Sequence, residues 1–504
     1  MKLLLASSEV HPYSKTGGLA DMVGALAKSL AREGHEVSLV TPLYAGIREK
    51  YPALSATDIK LDLPLGARNV TGGVLSLSPI KNLTIYFIDQ REFYFRHSPY
   101  LQPNGMGYPD NDERFLFFSK AVVQLARHVV KPDLVHVHDW QVGFVPLLMR
   151  HEELTAKWEN PPPTCLTIHN LAYQGTFPGW RYEFTNLPWD YFNVDGAEFY
   201  GQVNFLKAGI GYADLLTTVS PRYAREITTP EFGCGLDGLL RKRHDVLIGI
   251  LNGVDYEEWN TTHNPYLRHA YSVEHLEGKL ANKLDLQKEL GLPVKKDVPL
   301  FGSVSRLADQ KGVDILLGAL EEMLSADMQF VVLGSGDATF ENAYRDLARR
   351  YPTKVAARIG FNQGLSQRIE AGCDFFLMPS RYEPCGLNQM YSLHYGTVPI
   401  VRMTGGLDDS VTDILEGVER ADGIKFVEYS NSALAKGIRK ALALYLEPEL
   451  LSHYRINGMT VDFSWEMTAR KYTEVYQKLL NDEVLGSTDS SVEPLQVSRV
   501  DGDK

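Results

Sequence analysis

Apolar residues gather in short runs along the chain, beginning with Leu3-Leu4-Leu5-Ala6, a run too short for a helix and suited to a buried strand. Comparable runs recur at 36–41, 83–88, 134–138, 165–167, 215–219 and 246–250. Between several of them the spacing changes to three and four, as at Met22, Val23, Leu26 and Leu30 or along 115–130. That spacing predicts helices with one buried face. Strands alternating with helices predict a parallel sheet with helices on both faces. Residues 255–297 break the rhythm: 255–268 is polar and aromatic, 278–290 has helical spacing, and Gly291-Leu292-Pro293 stops it. A second series of strands follows at 300–304, 329–333, 355–359, 375–379 and 398–401. The pattern predicts an α/β protein of two doubly wound domains, 1–255 and 256–463. Ser464 is a favourable N-cap for a last helix, 464–480, with Trp465, Tyr472, Val475, Tyr476 and Leu479 on its apolar face. From Asn481 the composition turns to Ser, Asp, Val and Gly, which predicts a disordered tail, 481–504.

Length agrees with this division, since 504 residues exceed one core and suit two or three domains. Hydrophobic residues at 44% and charged residues at 23% are ordinary for a soluble enzyme. A net charge of −12 argues against nucleic acid or a membrane surface as partner, although a local basic pocket is compatible with it. Cys165, Cys234, Cys373 and Cys385 form no C-x-x-C pair, so neither a zinc ribbon nor a disulfide framework is indicated. Ser7-Ser8-Glu9 breaks the first apolar run before it reaches signal-peptide length, and no apolar segment is long enough to span a bilayer. A cytoplasmic protein with reduced thiols is the expectation.

In a doubly wound sheet, ligands bind beyond the carboxyl ends of the strands. The residues to read there are Lys15, Asp139, His169, Ser220 and Asn252. Lys15-Thr16-Gly17-Gly18-Leu19 sits where a strand turns into a helix, and glycines, a helix N-terminus and a mobile cation together suit phosphate. Thr404-Gly405-Gly406-Leu407 repeats Thr16 to Leu19 after a strand of the second series. Arg306 and Lys311 follow another strand end, and a planar fork beside a point charge suits a diphosphate. Glu383, in Glu383-Pro384-Cys385-Gly386-Leu387, is placed to bind sugar hydroxyls or to cap a helix. Cys385 has no base beside it and reads as a small buried residue. Asp139 with Trp140 offers a sugar a carboxylate and an aromatic face, and His169 either donates to a developing charge or is a satisfied buried histidine. His136 and His138 share a strand face, but a third metal ligand is not evident. Asp110-Asn111-Asp112, in a loop, and Asp501-Gly502-Asp503, in the tail, match the Asp-x-Asp of metal-dependent sugar transferases by chance. Gly334-Ser335-Gly336 lacks the third glycine of a dinucleotide site.

Taken together, Lys15 to Leu19, His138-Asp139-Trp140, His169 to Gly175, Asn252-Gly253-Val254-Asp255, Ser305-Arg306-Leu307 with Gln310-Lys311-Gly312, and Glu383 to Leu387 resemble the bacterial glycogen synthases, a family that includes the plant starch synthases. The match runs in order from residue 1 to about residue 480. The resemblance implies a GT-B fold, with two Rossmann-like domains facing a deep cleft and the last helix crossing back onto the first domain. It implies transfer of glucose from ADP-glucose to the non-reducing end of an α-1,4-glucan, with retention of configuration and no metal or other cofactor. By the same resemblance Lys15, Arg306 and Lys311 hold the diphosphate, with Gly17, Gly18, Thr404, Gly405 and Gly406 near it. Glu383 and the backbone of Cys385, Gly386 and Leu387 position the donor glucose, with His169 and Asn252 around its reacting face. Asp21, Tyr100 and Asp139 face donor or acceptor sugar. Two positions depart from related patterns: Gln141 stands where many relatives have histidine, and Tyr391 where the broader retaining GT-B pattern has a second glutamate, as in other bacterial glycogen synthases. The rival readings are the same fold using UDP-glucose and a catalytically silent glucan-binding paralogue; retention of Lys15, His169, Arg306, Lys311 and Glu383 together argues against the second.

Overall fold

The computed structural model describes residues 1–481 and 483. The expected disordered tail, with Asp501-Gly502-Asp503, therefore lies almost wholly outside the described residues. Twelve strands form the first half: β1 (Lys2–Ala6), β2 (Glu36–Pro42), β3 (Ser55–Leu65), β4 (Arg68–Ile80), β5 (Leu83–Asp89), β6 (Leu134–His138), β7 (Thr164–Ile168), β8 (Thr176–Pro178), β9 (Glu198–Phe199), β10 (Gln202–Asn204), β11 (Leu215–Thr218) and β12 (Leu247–Gly249). Nine of them make one sheet in the order β12-β11-β7-β6-β1-β2-β5-β4-β3. The run from β12 to β5 is parallel, as the sequence predicts, and every strand predicted there is present.

The hairpin β3–β4 is a correction. It pairs antiparallel with itself and with β5, so the sheet is mixed. Its signal was alternation rather than an apolar run: Leu61, Leu63 and Leu65 are buried and the residues between them exposed. A small separate sheet, β8-β10-β9, was also unforeseen.

The second half carries β13 (Leu300–Leu307), β14 (Gln329–Gly336), β15 (Val355–Ile359), β16 (Phe375–Met378), β17 (Val398–Arg402) and β18 (Ile424–Phe426). They form one parallel sheet in the order β15-β14-β13-β16-β17-β18. Only β18, with three residues, lacked a sequence signal. In the segment before this sheet, helix Glu277–Leu290 ends at Gly291, whose φ of +79° is the left-handed stop that glycine permits.

The last helix, Trp465–Leu480, returns to the first sheet. Ser464 caps it by accepting from the Met467 N–H. Trp465, Ala469, Tyr472 and Tyr476 are buried in the same apolar cluster as β1, β6 and helix Gly18–Arg32. The Tyr476 hydroxyl lies 2.7 Å from His136 Nδ1, and Thr468 Oγ1 donates to the Leu251 carbonyl at 3.1 Å. Cys385 and Met390, from the second half of the chain, pack into that cluster as well, while the rest of the second half's core forms clusters of its own on the two faces of its sheet. Among the described residues no helix is long and apolar enough to cross a membrane.

Candidate active site

Glu9, just past the carboxyl end of β1, organises the first wall, and the sequence reading passed over it. It is 3% exposed. Its Oε1 accepts from Thr16 Oγ1 and from the Tyr100 hydroxyl, each at 2.6 Å, and its Oε2 accepts from the Thr16 N–H. Burial, and then the Glu9 charge, push the Tyr100 phenol well up, so it remains a neutral donor. The loop held by Glu9 presents Lys15, half exposed, with Nζ 2.8 Å from Asp21 Oδ2. Gly17 is the N-cap of helix Gly18–Arg32, and no side chain caps that helix. A Cβ at Gly17 or Gly18 would meet nothing within 4 Å. An uncapped helix of 15 residues, beside open space and a lysine, is suited to an anion.

Asp139 and His169 sit beyond the ends of β6 and β7. Asp139 has φ +61° and ψ −173°, a conformation rare outside glycine, and its surroundings hold it there. The His169 N–H donates to its Oδ1 at 2.7 Å. Burial raises the Asp139 carboxyl to about 7. Burial also lowers His169 to about 3, so its ring is neutral, with Nε2 3.2 Å from His138 Nδ1. His138 Nε2 and Asn252 Oδ1 are buried without a partner. Trp140 packs edge-on against Phe115, and a Cβ at Gly175 would strike its indole. Gln141 is buried, and its Oε1 has no partner.

The two strand histidines are structural. His136 Nε2 is 2.6 Å from Thr167 Oγ1 and its other nitrogen meets Tyr476. Among the described residues no group of three or more His, Cys, Asp or Glu side chains could hold a metal ion. Asp110-Asn111-Asp112 is the start of helix Asn111–Gln124 rather than a loop, and Asp112 is buried against Arg181 Nε at 3.2 Å.

The second wall is built at the carboxyl ends of β13, β16 and β17. Arg306 is exposed, with Nη2 3.4 Å from Gln310 Oε1. Lys311 Nζ donates to Glu383 Oε2 at 2.6 Å, and Ser380 Oγ donates to the same oxygen at 3.0 Å. Glu383 is 6% exposed, so this carboxylate is fixed by its partners. Gly312, at φ +69°, lets the Lys311 loop approach: a Cβ there would strike the Pro379 carbonyl. Cys385 is buried and its thiol is pushed up to about 12, which leaves it inert; the Asn252 backbone lies within its hydrogen-bonding reach. Gly386, at φ +73°, and Leu387 lead into helix Asn388–His394.

Thr404, Gly405 and Gly406 are already engaged within the protein. A Cβ at Gly405 or Gly406 would strike the Glu383 or Cys385 carbonyl, so these glycines buttress that turn. The Gly406 N–H donates to Glu383 O at 3.1 Å. The Gly405 N–H, at 3.1 Å, and Thr404 Oγ1, at 3.2 Å, both donate to the Glu226 carboxylate. The donor-phosphate role expected for these three residues thus meets groups that have other partners. Phe361, just past β15, is 89% exposed and was not singled out, although the strand-end rule applied to it. Tyr391 stacks on Trp259 at 3.7 Å and 6°. Burial, and then the Asp21 carboxylate of the first wall, push its phenol well up.

Comparison with known proteins matches this arrangement. The family model for the starch synthase catalytic domain covers residues 2–242, and that for glycosyl transferases group 1 covers residues 287–459. Glycogen synthase of Anaeromyxobacter sp. (strain Fw109-5) is 45% identical over 480 residues, 95% of this chain and 99% of that protein. Glycogen synthase of Myxococcus xanthus (strain DK1622) is 47% identical over 484 residues, 95% of this chain and 100% of that protein. The solved catalytic domain of starch synthase IV from Arabidopsis thaliana, bound to ADP and acarbose, superposes with a TM-score of 0.85 at 31% identity, over 95% of this chain and 99% of that one. Sucrose-phosphate synthase from Thermosynechococcus elongatus, at 18% identity and a TM-score of 0.57, shares the fold alone. The two sheets, the returning helix and these likenesses together make the chain a GT-B glycosyltransferase that belongs to the glycogen and starch synthase family.

Proposed function

We propose that the protein transfers glucose from ADP-glucose to the non-reducing end of an α-1,4-glucan with retention of configuration. The observation that carries this reading is the Lys311–Glu383 pair at 2.6 Å: a cation for a leaving phosphate and a fixed carboxylate for sugar hydroxyls, side by side at a strand end. Residues 1–255, completed by 464–480, form the acceptor side, and 256–463 the donor side. Lys15, Arg306 and Lys311 take the charge that grows on the diphosphate, with the open helix start at Gly17 and Gly18 beside them. Glu383, supported by Ser380 and backed by the turn at Cys385 to Leu387, orients the donor glucose, and Phe361 offers the base an exposed ring face. Asn252 and the neutral His169 ring lie at the reacting face; Asp21, Tyr100 and Asp139 receive sugar hydroxyls. The fixed carboxylate of the second wall, Glu383, is held by Lys311 and Ser380, which suits orientation of the sugar rather than nucleophilic attack. The bond from C1 to the phosphate oxygen breaks as the acceptor oxygen joins C1 on the same face, and the acceptor proton leaves on the departing phosphate. Three cations in a closed cleft do for that phosphate what a divalent ion does elsewhere.

The test supplies ADP-glucose and UDP-glucose in competition, with glycogen and an excess of chelator. Glucan-dependent release of ADP in preference to UDP is expected, at an unchanged rate with and without the chelator. Preference for UDP-glucose would overturn the donor, absence of glucan-dependent release the activity, and loss restored by magnesium the metal-free chemistry.

A further inference from the structure

Two short helices meet where the two halves of the molecule touch. Pro221–Glu226 follows β11, and Gly405–Ser410 follows β17. Each gives a carboxylate to the first turn of the other. Asp409 Oδ2 accepts from Ser220 Oγ at 2.6 Å and from the Arg222 N–H at 2.7 Å. Glu226 accepts from the Gly405 N–H at 3.1 Å and from Thr404 Oγ1 at 3.2 Å. Arg222 Nη1 adds a longer contact to Asp408 Oδ2 at 3.6 Å, and its Nε is 3.2 Å from Glu226 Oε1.

The exchange is reciprocal and crosses the cleft, so it can exist only while the halves are closed. Helix first turns leave N–H groups without partners, and a carboxylate there forms a charge-assisted bond of the stronger kind. Glu226 is 7% exposed, Asp409 is half-buried, and the donors Ser220 and Thr404 are fully buried. Opening the cleft would strip partners from both ends at once. The contrast with Thr16 to Leu19 is informative, since that copy of the same tetrapeptide starts an uncapped helix of 15 residues beside open space.

We propose that Glu226 and Asp409 are positioning residues that latch the two domains together and hold the donor cleft closed before the donor arrives. The inference rests on the transferase reading for its kinetic consequence but not for its structural one. When only the closed form binds productively, the apparent affinity for donor scales with the closed fraction. Loosening the latch therefore raises KM for ADP-glucose, while saturating donor recloses the cleft and restores kcat.

The test uses the full chain as Glu226→Gln, Asp409→Asn and the double variant. Small-angle scattering of the ligand-free protein should show a compact wild type and an expanded double variant that recompacts with saturating ADP. KM for ADP-glucose should rise about tenfold, the equivalent of one lost charge-assisted contact, with kcat within about twofold. Asp409→Asn alone, at the half-buried partner, should show the same shift in smaller measure, and it decides the question should the double variant not fold. Wild-type scattering as expanded as that of the variants would overturn the latch. A fall in KM would overturn it too, since Glu226 would then be competing with the donor for the Gly405 N–H. Unchanged compactness with no donor activity in any form would count against the latch and the transferase reading separately.

Discussion

Lys311 and Glu383 are worth more together than apart. The lysine is 19% exposed and the carboxylate 7%, so removing either leaves its partner poorly solvated. Lys311→Ala is expected to lower kcat for glucosyl transfer by about 10²-fold or more, because a cation facing a leaving phosphate matters most in the transition state. Glu383→Gln should cost a similar factor and the double variant little more, a non-additivity that steady-state kinetics on the four forms would show. The exposed Lys295 and Lys296 are controls and should be neutral on replacement. Asp139 gives a second test. Its carboxyl is raised from the usual 3.8 to about 7, chiefly by burial. A raised carboxyl stabilises fully below its unfolded value, and that contribution is lost as pH climbs through the folded one. Asp139→Asn should thus gain stability relative to wild type between pH 4 and pH 8, by up to about 4 kcal/mol, read from urea unfolding at both pH values. Asparagine matches aspartate in size and shape, so the substitution adds no steric change at this strained backbone position. Reading the residue after each strand found Lys15, Asp139, His169, Arg306 and Glu383, because that rule needs only strand ends. Glu9 lay within its reach, three residues past β1, but was passed over for Lys15; Glu226 lay outside it, since its partners Thr404 and Gly405 are set by a chain crossing that no local pattern records.

Helix Trp465–Leu480 was legible in sequence through its cap and its aromatic stripe; its return to the first domain followed from the family resemblance and not from the local pattern. What it covers includes a buried polar group of the sheet: Tyr476 supplies the partner that His136 Nδ1 needs in the interior. Burial lowers that ring to about 3, so it stays neutral and depends on hydrogen bonds alone. Tyr476→Phe should destabilise the protein by about 1–3 kcal/mol, measurable by urea unfolding, through the nitrogen it leaves unsatisfied. Removing the chain from Phe463 onward should uncover Tyr472's cavity and prevent stable folding altogether. The hairpin β3–β4 escaped for the opposite reason: its alternation of buried and exposed positions is plain, but a search for continuous apolar runs is tuned to strands covered on both faces. Thr16 to Leu19 and Thr404 to Leu407 show how far a motif reaches. Both begin helices after strands, yet only one is left without a cap, and four letters cannot say which.

The two halves of the molecule have separate sheets and separate cores, joined at a narrow apolar seam. Cys385 and Met390 of the second pack with Trp465, Tyr472 and Tyr476 against the first, and Val254 pairs in parallel with Ser464 beside them. The pattern along the chain gave both sheets because each is built from neighbouring segments. It could not give their union, which joins residues hundreds of positions apart. That union bears on synthesis. The first sheet leaves the ribosome early, but the helix that seals it, Trp465–Leu480, is among the last described segments to emerge. On the order of two hundred residues must be added in between, roughly 10–40 s at usual elongation rates. For that interval the His136 ring and the apolar face that Tyr472 and Tyr476 will cover stand open, and the nascent chain carries a standing invitation to aggregate or to engage a chaperone, which its final helix withdraws.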